Sequence, residues 1–312
     1  MKIAFLDTVH EVLEEGMTSL GHECVDLIQT PESEIKERIK DFEGVVVRSR
    51  FPMNEGFLSK ATALKFICRS GAGMENIDVP YCESRGIELI NAPEGNRNAV
   101  AEHALGMLLS LFNHLHTADA EVRSGKWDRE GNRGVELDGK VVGIIGYGNN
   151  GSAFAKKLKG FDVEVLAYDK YKSGFGNDGV QEVDLRTLMD RSDVISLHIP
   201  QNEETMWMVD QAFINNVVQP FYLINLSRGK IVKTEDLLVG IDSGKVLGAC
   251  LDVLEFEKSS FENMFDGDMP DVFSKLLESK KVILSPHVGG WTKESYYKLS
   301  KVLLEKFTAL YH

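Results

Sequence analysis

Short apolar runs closed by Gly, Pro or Asn alternate along the chain with stretches whose apolar residues recur at helical spacing. That alternation predicts parallel α/β sheets, because strands buried on both faces read as near-continuous Val, Ile and Leu. In the first third, KIAFLD (2–7), GVVVRS (44–49), LKFICRS (64–70) and IELIN (87–91) predict strands, and 9–20, 32–41 and 55–62 predict helices. From 98 to 124 the spacing predicts one long helix, apolar on nearly every side through its first half. A helix with no polar face must be covered all round, by its own domain and by another domain or a second subunit.

A second series starts afresh. Its strands are KVVGIIG (140–146), EVLAYD (164–169), DVISLHI (193–199), FYLINLS (221–227), VLGACLD (246–252) and VILSP (282–286). Between them 149–160, 184–191 and 234–243 predict helices, the last capped by Thr234 with Asp236 in its first turn. Residues 292–307 form an amphipathic pattern, and 258–280 read as an irregular acidic excursion. Two independent series in 312 residues predict two domains of ordinary size.

Composition, 43% hydrophobic and 27% charged, is that of a soluble globular protein. The net charge of -13 argues against nucleic acid or an anionic membrane as partner, since a duplex attracts clustered Lys and Arg. Cys24, Cys68, Cys82 and Cys250 are scattered, with Cys68 and Cys250 inside apolar runs. Buried thiols in a reducing, cytoplasmic setting are the expectation. MKIAFLDTV reads as a short strand, so neither a signal peptide nor a membrane span is expected. No H-E-x-x-H or Cys/His cluster points to a metal.

VVGIIGYGNNG (141–151) places Gly146, Gly148 and Gly151 as G-x-G-x-x-G between a strand and a helix. The first glycine permits the tight turn, the second lets backbone approach a pyrophosphate, and the third allows close helix–strand packing. Amides at the helix start then face the phosphates. Asn149 and Asn150 fill the variable positions, within reach of phosphate oxygens. Asp169 closes the next strand, where a carboxylate accepts both ribose hydroxyls and repels a 2′-phosphate, so NAD is expected over NADP. Lys170 beside it pulls the other way.

Three polar residues close later strands: Arg228 in LINLSRGKIV, Glu257 in LGACLDVLEFE and His287 in VILSPHVGGW. Reducing a 2-keto acid needs a hydride, a proton for the new hydroxyl and a cation on the carboxylate. A protonated His delivers the proton, and a nearby carboxylate stabilises the imidazolium. His287 with Glu257 suits those roles, and Arg228 offers a planar fork for the carboxylate and carbonyl oxygens. Each residue alone has a bland alternative: a turn His, an acid in an acidic stretch, a strand-capping Arg. Their recurrence in one cofactor domain favours chemistry. His198, ahead of Pro200 at a strand end, is expected on the nicotinamide side; His10, His22 and His116 read as surface residues, His114 stays ambiguous, and His103 lies on the long helix.

The segments SGAGMENID (70–78), RGIELINAPEGN (85–96), AVAEHALGMLL (99–109), SGKWDR (124–129), ELDGKVVGIIGYGNNG (136–151), NLSRGKIV (225–232), LDVLEFE (251–257) and PHVGG (286–290) together resemble the D-isomer-specific 2-hydroxyacid dehydrogenase family, nearly end to end. The resemblance implies a flavodoxin-like, discontinuous substrate domain made of 1–97 and the returning helix of 288–312. Between them it implies an NAD-binding Rossmann domain over 98–287, whose long helix is a dimerisation arm, hence a homodimer. Arg228, Glu257 and His287 take the roles above. Backbone amides of Ser70, Gly71, Ala72 and Gly73 hold the substrate carboxylate, and Ile199, Pro200, Leu226, Ser227, Asp252 and Gly289 line the cofactor.

Within the family, VVVRSRF (45–51) and CRSGAGMENID (68–78) look most like members acting on 3-phosphoglycerate. Arg48, Arg50 and Arg69 then either meet a phosphate or are ordinary exposed arginines. There are departures: Asn149-Asn150 for the commoner Arg-Ile, Lys258 where relatives carry Pro, and Trp291 for Ser. These keep glyoxylate, hydroxypyruvate and D-lactate-type substrates open. No serine-sensing module is expected after His312. An NAD-responsive corepressor-like role is the alternative from another class, although the disordered tail of such proteins is not expected here.

Overall fold

The structure, a computed structural model, describes residues 1–257 and 270–312. It forms two compact units, Met1–Arg97 with Trp291–His312, and Asn98–Gly290.

The first unit runs through β1 (Lys2–Phe5), α1 (Glu11–Ser19), β2 (Glu23–Asp26), α2 (Glu32–Arg38), β3 (Gly44–Val47), α3 (Glu55–Leu58), β4 (Phe66–Arg69), α4 (Val79–Ser84) and β5 (Glu88–Asn91), where α5 (Pro93–Phe112) begins. Among the described residues its five-stranded parallel sheet has the order β2-β1-β3-β4-β5, the flavodoxin arrangement. Every residue of β3 and β4 is buried, which is why both read as unbroken apolar runs. The edge strand β2, ECVD, has no buried residue and therefore left no apolar signature. One sheet face packs Ile35, Ile39 and Phe57; the other packs Leu13 and Met17 with Leu299, Leu303 and Phe307 of the closing helix α12 (Lys293–Tyr311). A reciprocal Thr292–Ser295 capping box starts that helix. His10, expected at the surface, instead caps α1 by accepting from the Val12 amide, and its ring meets Tyr296 and Tyr297 edge-on.

The second unit continues α5 and adds α6 (Leu115–Arg123), β6 (Val141–Ile145), α7 (Asn149–Leu158), β7 (Glu164–Tyr168), β8 (Gln181–Glu182), α8 (Leu185–Arg191) and β9 (Val194–Leu197). Then come α9 (Gln211–Asn216), β10 (Phe221–Asn225), α10 (Thr234–Asp242), β11 (Val246–Leu251), α11 (Asp271–Glu278) and β12 (Val282–Leu284). Among the described residues its sheet is seven-stranded and parallel, in the order β12-β11-β10-β9-β6-β7-β8. The chain reverses direction of growth between β6 and β9, the crevice where open α/β sheets take ligands. Among the described residues no helix is long and apolar enough to cross a membrane.

Several expectations need correction. The long helix over 98–124 is two helices, because His114 adopts left-handed backbone at φ 50°. The Phe112 carbonyl accepts from the Val135 amide at 3.0 Å and the Asn113 side chain takes the Leu109 carbonyl, so the helical ladder ends there. Thr234 does not cap α10; the cap position is Lys233, and the Thr234 amide is satisfied by Glu255 Oε2 at 2.9 Å. The stretch 258–280 contains α11, and its earlier part, with Lys258, lies outside the described residues. All four cysteines are free, with Cys68 and Cys250 buried as expected.

Candidate active site

The glycine loop joins β6 to α7. A Cβ on Gly151 would stand 2.0 Å from the Gly146 carbonyl oxygen, and one on Gly146, itself at φ 92°, would meet the His198 carbonyl at 2.5 Å. Neither backbone can retreat, so the turn requires glycine at both positions. Gly148 is different: nothing lies within 4 Å of an added Cβ, and no side chain caps α7 behind it. An open approach to an uncapped helix start, beside Asn149 and the partly buried Asn150, suits the pyrophosphate of a dinucleotide. Asp169, at the end of β7, accepts from the amides of Tyr147, Tyr171 and Lys172 at 2.8–3.0 Å, which fixes its carboxylate against the loop. Lys170, a possible partner for a 2′-phosphate, is paired with Glu204 at 2.8 Å, and Glu204 also accepts from the Tyr171 hydroxyl.

His198 is not displayed as expected. Its ring bonds Ser196 Oγ at 2.8 Å and tilts against Phe154, and burial pulls its pKa down to about 4. Its carbonyl and the Ile199 side chain, not its imidazole, stand beside Gly146. The Pro200 carbonyl accepts from Thr205 Oγ1 at 2.6 Å. Leu226 and Asp252 flank Gly289, where a Cβ would lie 2.9 Å from Asp252 Oδ2 and 3.1 Å from Leu226.

The polar triplet follows three neighbouring strands, β10, β11 and β12. Arg228 comes after β10, in a turn that the buried Asn225 shapes. Asn225 accepts from the Ser227 amide and donates to the Arg228 carbonyl, both at 3.0 Å, while Ser227 Oγ donates to the Leu197 carbonyl. Arg228 Nη1 donates to the Ser227 carbonyl at 2.6 Å. Gly229 then presses on the next loop, since a Cβ there would sit 1.9 Å from the Leu254 carbonyl oxygen. That loop carries Glu257, whose Oε1 accepts from the Leu254 amide. The other oxygen, Oε2, lies 2.7 Å from His287 Nδ1, after β12. Both side chains are largely enclosed, at 17% and 24% exposure, where a carboxylate–imidazole contact is screened less than at the surface. Engagement of Nδ1 by Glu257 fixes the orientation of the His287 ring.

In the first unit, the Ser70–Gly73 loop follows β4. The Ser70 amide donates to the Val47 carbonyl at 2.8 Å, the Gly71 carbonyl accepts from the Ala92 amide and the Ala72 carbonyl from Asn91 Nδ2. The turn ends at Gly73. Of the three arginines weighed as phosphate contacts, Arg50 is committed elsewhere: it donates to the carbonyls of Leu6, Leu27 and Thr30. Arg69 is buried with its guanidinium against Gly71. Arg48 lies 4.0 Å over the Trp291 ring, and burial lowers its pKa against the opposing pull of Asp7. The roles of Glu204 and Asp7 were hidden, because each bonds across a sequence gap that no local pattern reports.

These features define a dinucleotide-binding α/β protein with an acid–imidazole pair at its sheet edge. The chain belongs to the D-isomer-specific 2-hydroxyacid dehydrogenase family, whose NAD-binding domain matches residues 105–289. It is 33% identical over 98% of its length to a D-3-phosphoglycerate dehydrogenase from Archaeoglobus fulgidus, of which it spans 56%. It is 33% identical to a hydroxypyruvate reductase from Thermotoga maritima, over 96% of this chain and 95% of that protein. Among solved structures, the D-lactate dehydrogenase from Aquifex aeolicus complexed with NAD and lactic acid superposes with a TM-score of 0.82 at 29% identity, covering 99% and 95% of the two chains. The chain thus spans about half the length of several curated phosphoglycerate dehydrogenases that it matches.

Proposed function

We propose that the protein is an NAD-dependent oxidoreductase interconverting a small D-2-hydroxy acid and its 2-keto acid. The observation that carries this reading is the 2.7 Å contact between Glu257 and His287 at the edge that also presents Arg228. When bound, the dinucleotide supplies or accepts the hydride. Glu257 orients His287 and stabilises its imidazolium, which passes a proton to the substrate oxygen. Arg228 draws the carbonyl and carboxylate oxygens into its fork and stabilises the negative charge that builds on the carbonyl. Ser70 to Gly73 and Arg48 serve as further substrate contacts. Asp169 and the Lys170–Glu204 pair favour NAD, since the lysine's charge is already answered.

3-Phosphoglycerate is the leading substrate, supported by the likeness to phosphoglycerate dehydrogenases and by Arg48 just past β3. Hydroxypyruvate or glyoxylate is the second reading, favoured by Trp291, which covers one face of that arginine. A homodimer is supported by α6, none of whose residues is buried, with Leu115 and Val122 exposed and Trp127 79% exposed soon after. The four free cysteines are consistent with a reducing compartment. The test is a panel of phosphohydroxypyruvate, hydroxypyruvate, glyoxylate and pyruvate with NADH and NADPH. Preferential NADH-dependent reduction of phosphohydroxypyruvate is expected; preference for an uncharged-tail acid selects the second reading, and no reduction of any rejects the enzyme.

A further inference from the structure

His287 sits in left-handed backbone, at φ 54°. For a residue with a side chain that conformation costs about 1–2 kcal/mol and persists only where neighbours over-determine it. Here Asp252 supplies most of the hold, beside the Ser285 carbonyl, which also accepts from the His287 amide at 3.1 Å. The His287 amide donates to the Asp252 carbonyl at 2.8 Å, the Val288 amide to Asp252 Oδ1 at 2.9 Å and the Gly289 amide to Asp252 Oδ2 at 2.8 Å. Three successive amides therefore converge on Asp252, which is only 2% exposed.

A carboxylate so buried needs donors, and the backbone alone does not complete the set. Ser285 Oγ lies 2.6 Å from Asp252 Oδ1, and His103 Nε2, on α5, lies 2.9 Å from Ser285 Oγ. Asp252 is acceptor-only when ionised, so the single hydroxyl proton of Ser285 points to it. Ser285 then accepts from His103, which fixes the proton on His103 Nε2. The hydroxyl's other neighbour is the soft acceptor Met107 Sδ, at 3.7 Å. His103 Nε2 is itself 3.7 Å from Asp252 Oδ1, so its polar edge also faces the carboxylate.

We infer that His103 is a positioning residue for His287, acting through Ser285 and Asp252. With the His103 donor present, the Ser285 proton stays on Asp252, the carboxylate keeps its orientation and the 287–289 turn holds the imidazole where Glu257 meets it. Without it, the hydroxyl is released toward Met107, and the turn loses the anchor that offsets its backbone cost. The inference rests on the oxidoreductase reading for its effect on turnover, but the coupling itself is measurable without turnover.

The experiment compares wild type with His103→Leu and His103→Gln; the amide nitrogen of Gln restores a donor near the Nε2 position. Hydrogen–deuterium exchange of the peptide containing Val288 and Gly289 is expected to accelerate about tenfold in His103→Leu and to return toward wild type in His103→Gln. With the best keto acid of the panel and NADH, His103→Leu should lose about 10- to 100-fold in kcat with a smaller change in KM. Its solvent deuterium isotope effect on kcat should rise, because a misplaced proton donor makes proton transfer more limiting. A loss of folded protein would lower kcat without moving the isotope effect. Unchanged exchange in His103→Leu, or equal exchange in the Leu and Gln variants, overturns the inference. Absence of keto-acid reduction in wild type overturns the functional reading instead, and the exchange result still decides the coupling.

Discussion

The carboxyl edges of the two sheets are built with the same device and display different chemistry. After β1, Asp7 accepts from the successive amides of Arg48, Ser49 and Arg50 at 2.7, 3.0 and 3.1 Å, gathering the loop that follows β3. After β11, Asp252 does the same for the loop that follows β12. In each case a carboxylate on one strand's end fixes the neighbouring strand's turn, and one ionisable side chain of that turn distinguishes the edge. At the first edge that side chain is a guanidinium lying on an indole; at the second it is an imidazole held by a carboxylate. A cation on an aromatic face suits an anion, whereas a His–Glu pair suits proton transfer. In the proposed function the first edge serves recognition and the second reaction.

The contrast breaks most easily at Arg228, on the reactive edge. Arg228→Leu should lower kcat/KM for keto-acid reduction by about 100- to 1000-fold, from steady-state rates with NADH, since it removes the cation that answers the developing oxyanion. A loss under tenfold would leave the second edge without its proposed electrophile.

A buried histidine of the second unit sharpens it further. His198, enclosed by Ser196 and Phe154, has a folded pKa of about 4 against an ordinary 6.5. Below pH 6.5 the unfolded chain binds a proton that the native state refuses until about pH 4. The stability it contributes is thus complete above pH 6.5 and lost as pH falls toward 4, by up to about 3 kcal/mol. Urea midpoints across that window should fall in wild type and fall less in His198→Gln; parallel curves would mean the ring does not titrate as its burial demands.

The smallest effect is expected at the recognition edge. A cation–π contact contributes on the order of 1 kcal/mol, so Trp291→Ser should change KM for phosphohydroxypyruvate about threefold to fivefold and leave glyoxylate nearly unaffected. Equal shifts for both substrates would remove Trp291 from discrimination.

Much of this was legible in the sequence where signals are local. Buried strands such as Gly44–Val47 and Val194–Leu197 announced themselves as apolar runs, and the glycine spacing marked the β6–α7 turn. Arg228, Glu257 and His287 could be singled out because each follows such a run. Illegible were the features made by distant pairings. Strand β2 has no buried residue, and the break at His114 depends on Val135, more than twenty positions away. The side chain of His198 turned inward to Ser196, which only a three-dimensional neighbour such as Phe154 explains. His103 looked like one more residue of an apolar helix until Ser285 and Asp252 came beside it.

The most direct measurement is on His287→Ala, taking NADH affinity by fluorescence titration and single-turnover hydride transfer to the preferred keto acid on the same sample. NADH should bind within about twofold of wild type while transfer slows by about 100- to 10,000-fold, the contribution of a positioned proton donor. Transfer at near wild-type rate, with NADH bound equally well, would contradict the assignment of His287 as the proton donor and with it the reactive edge.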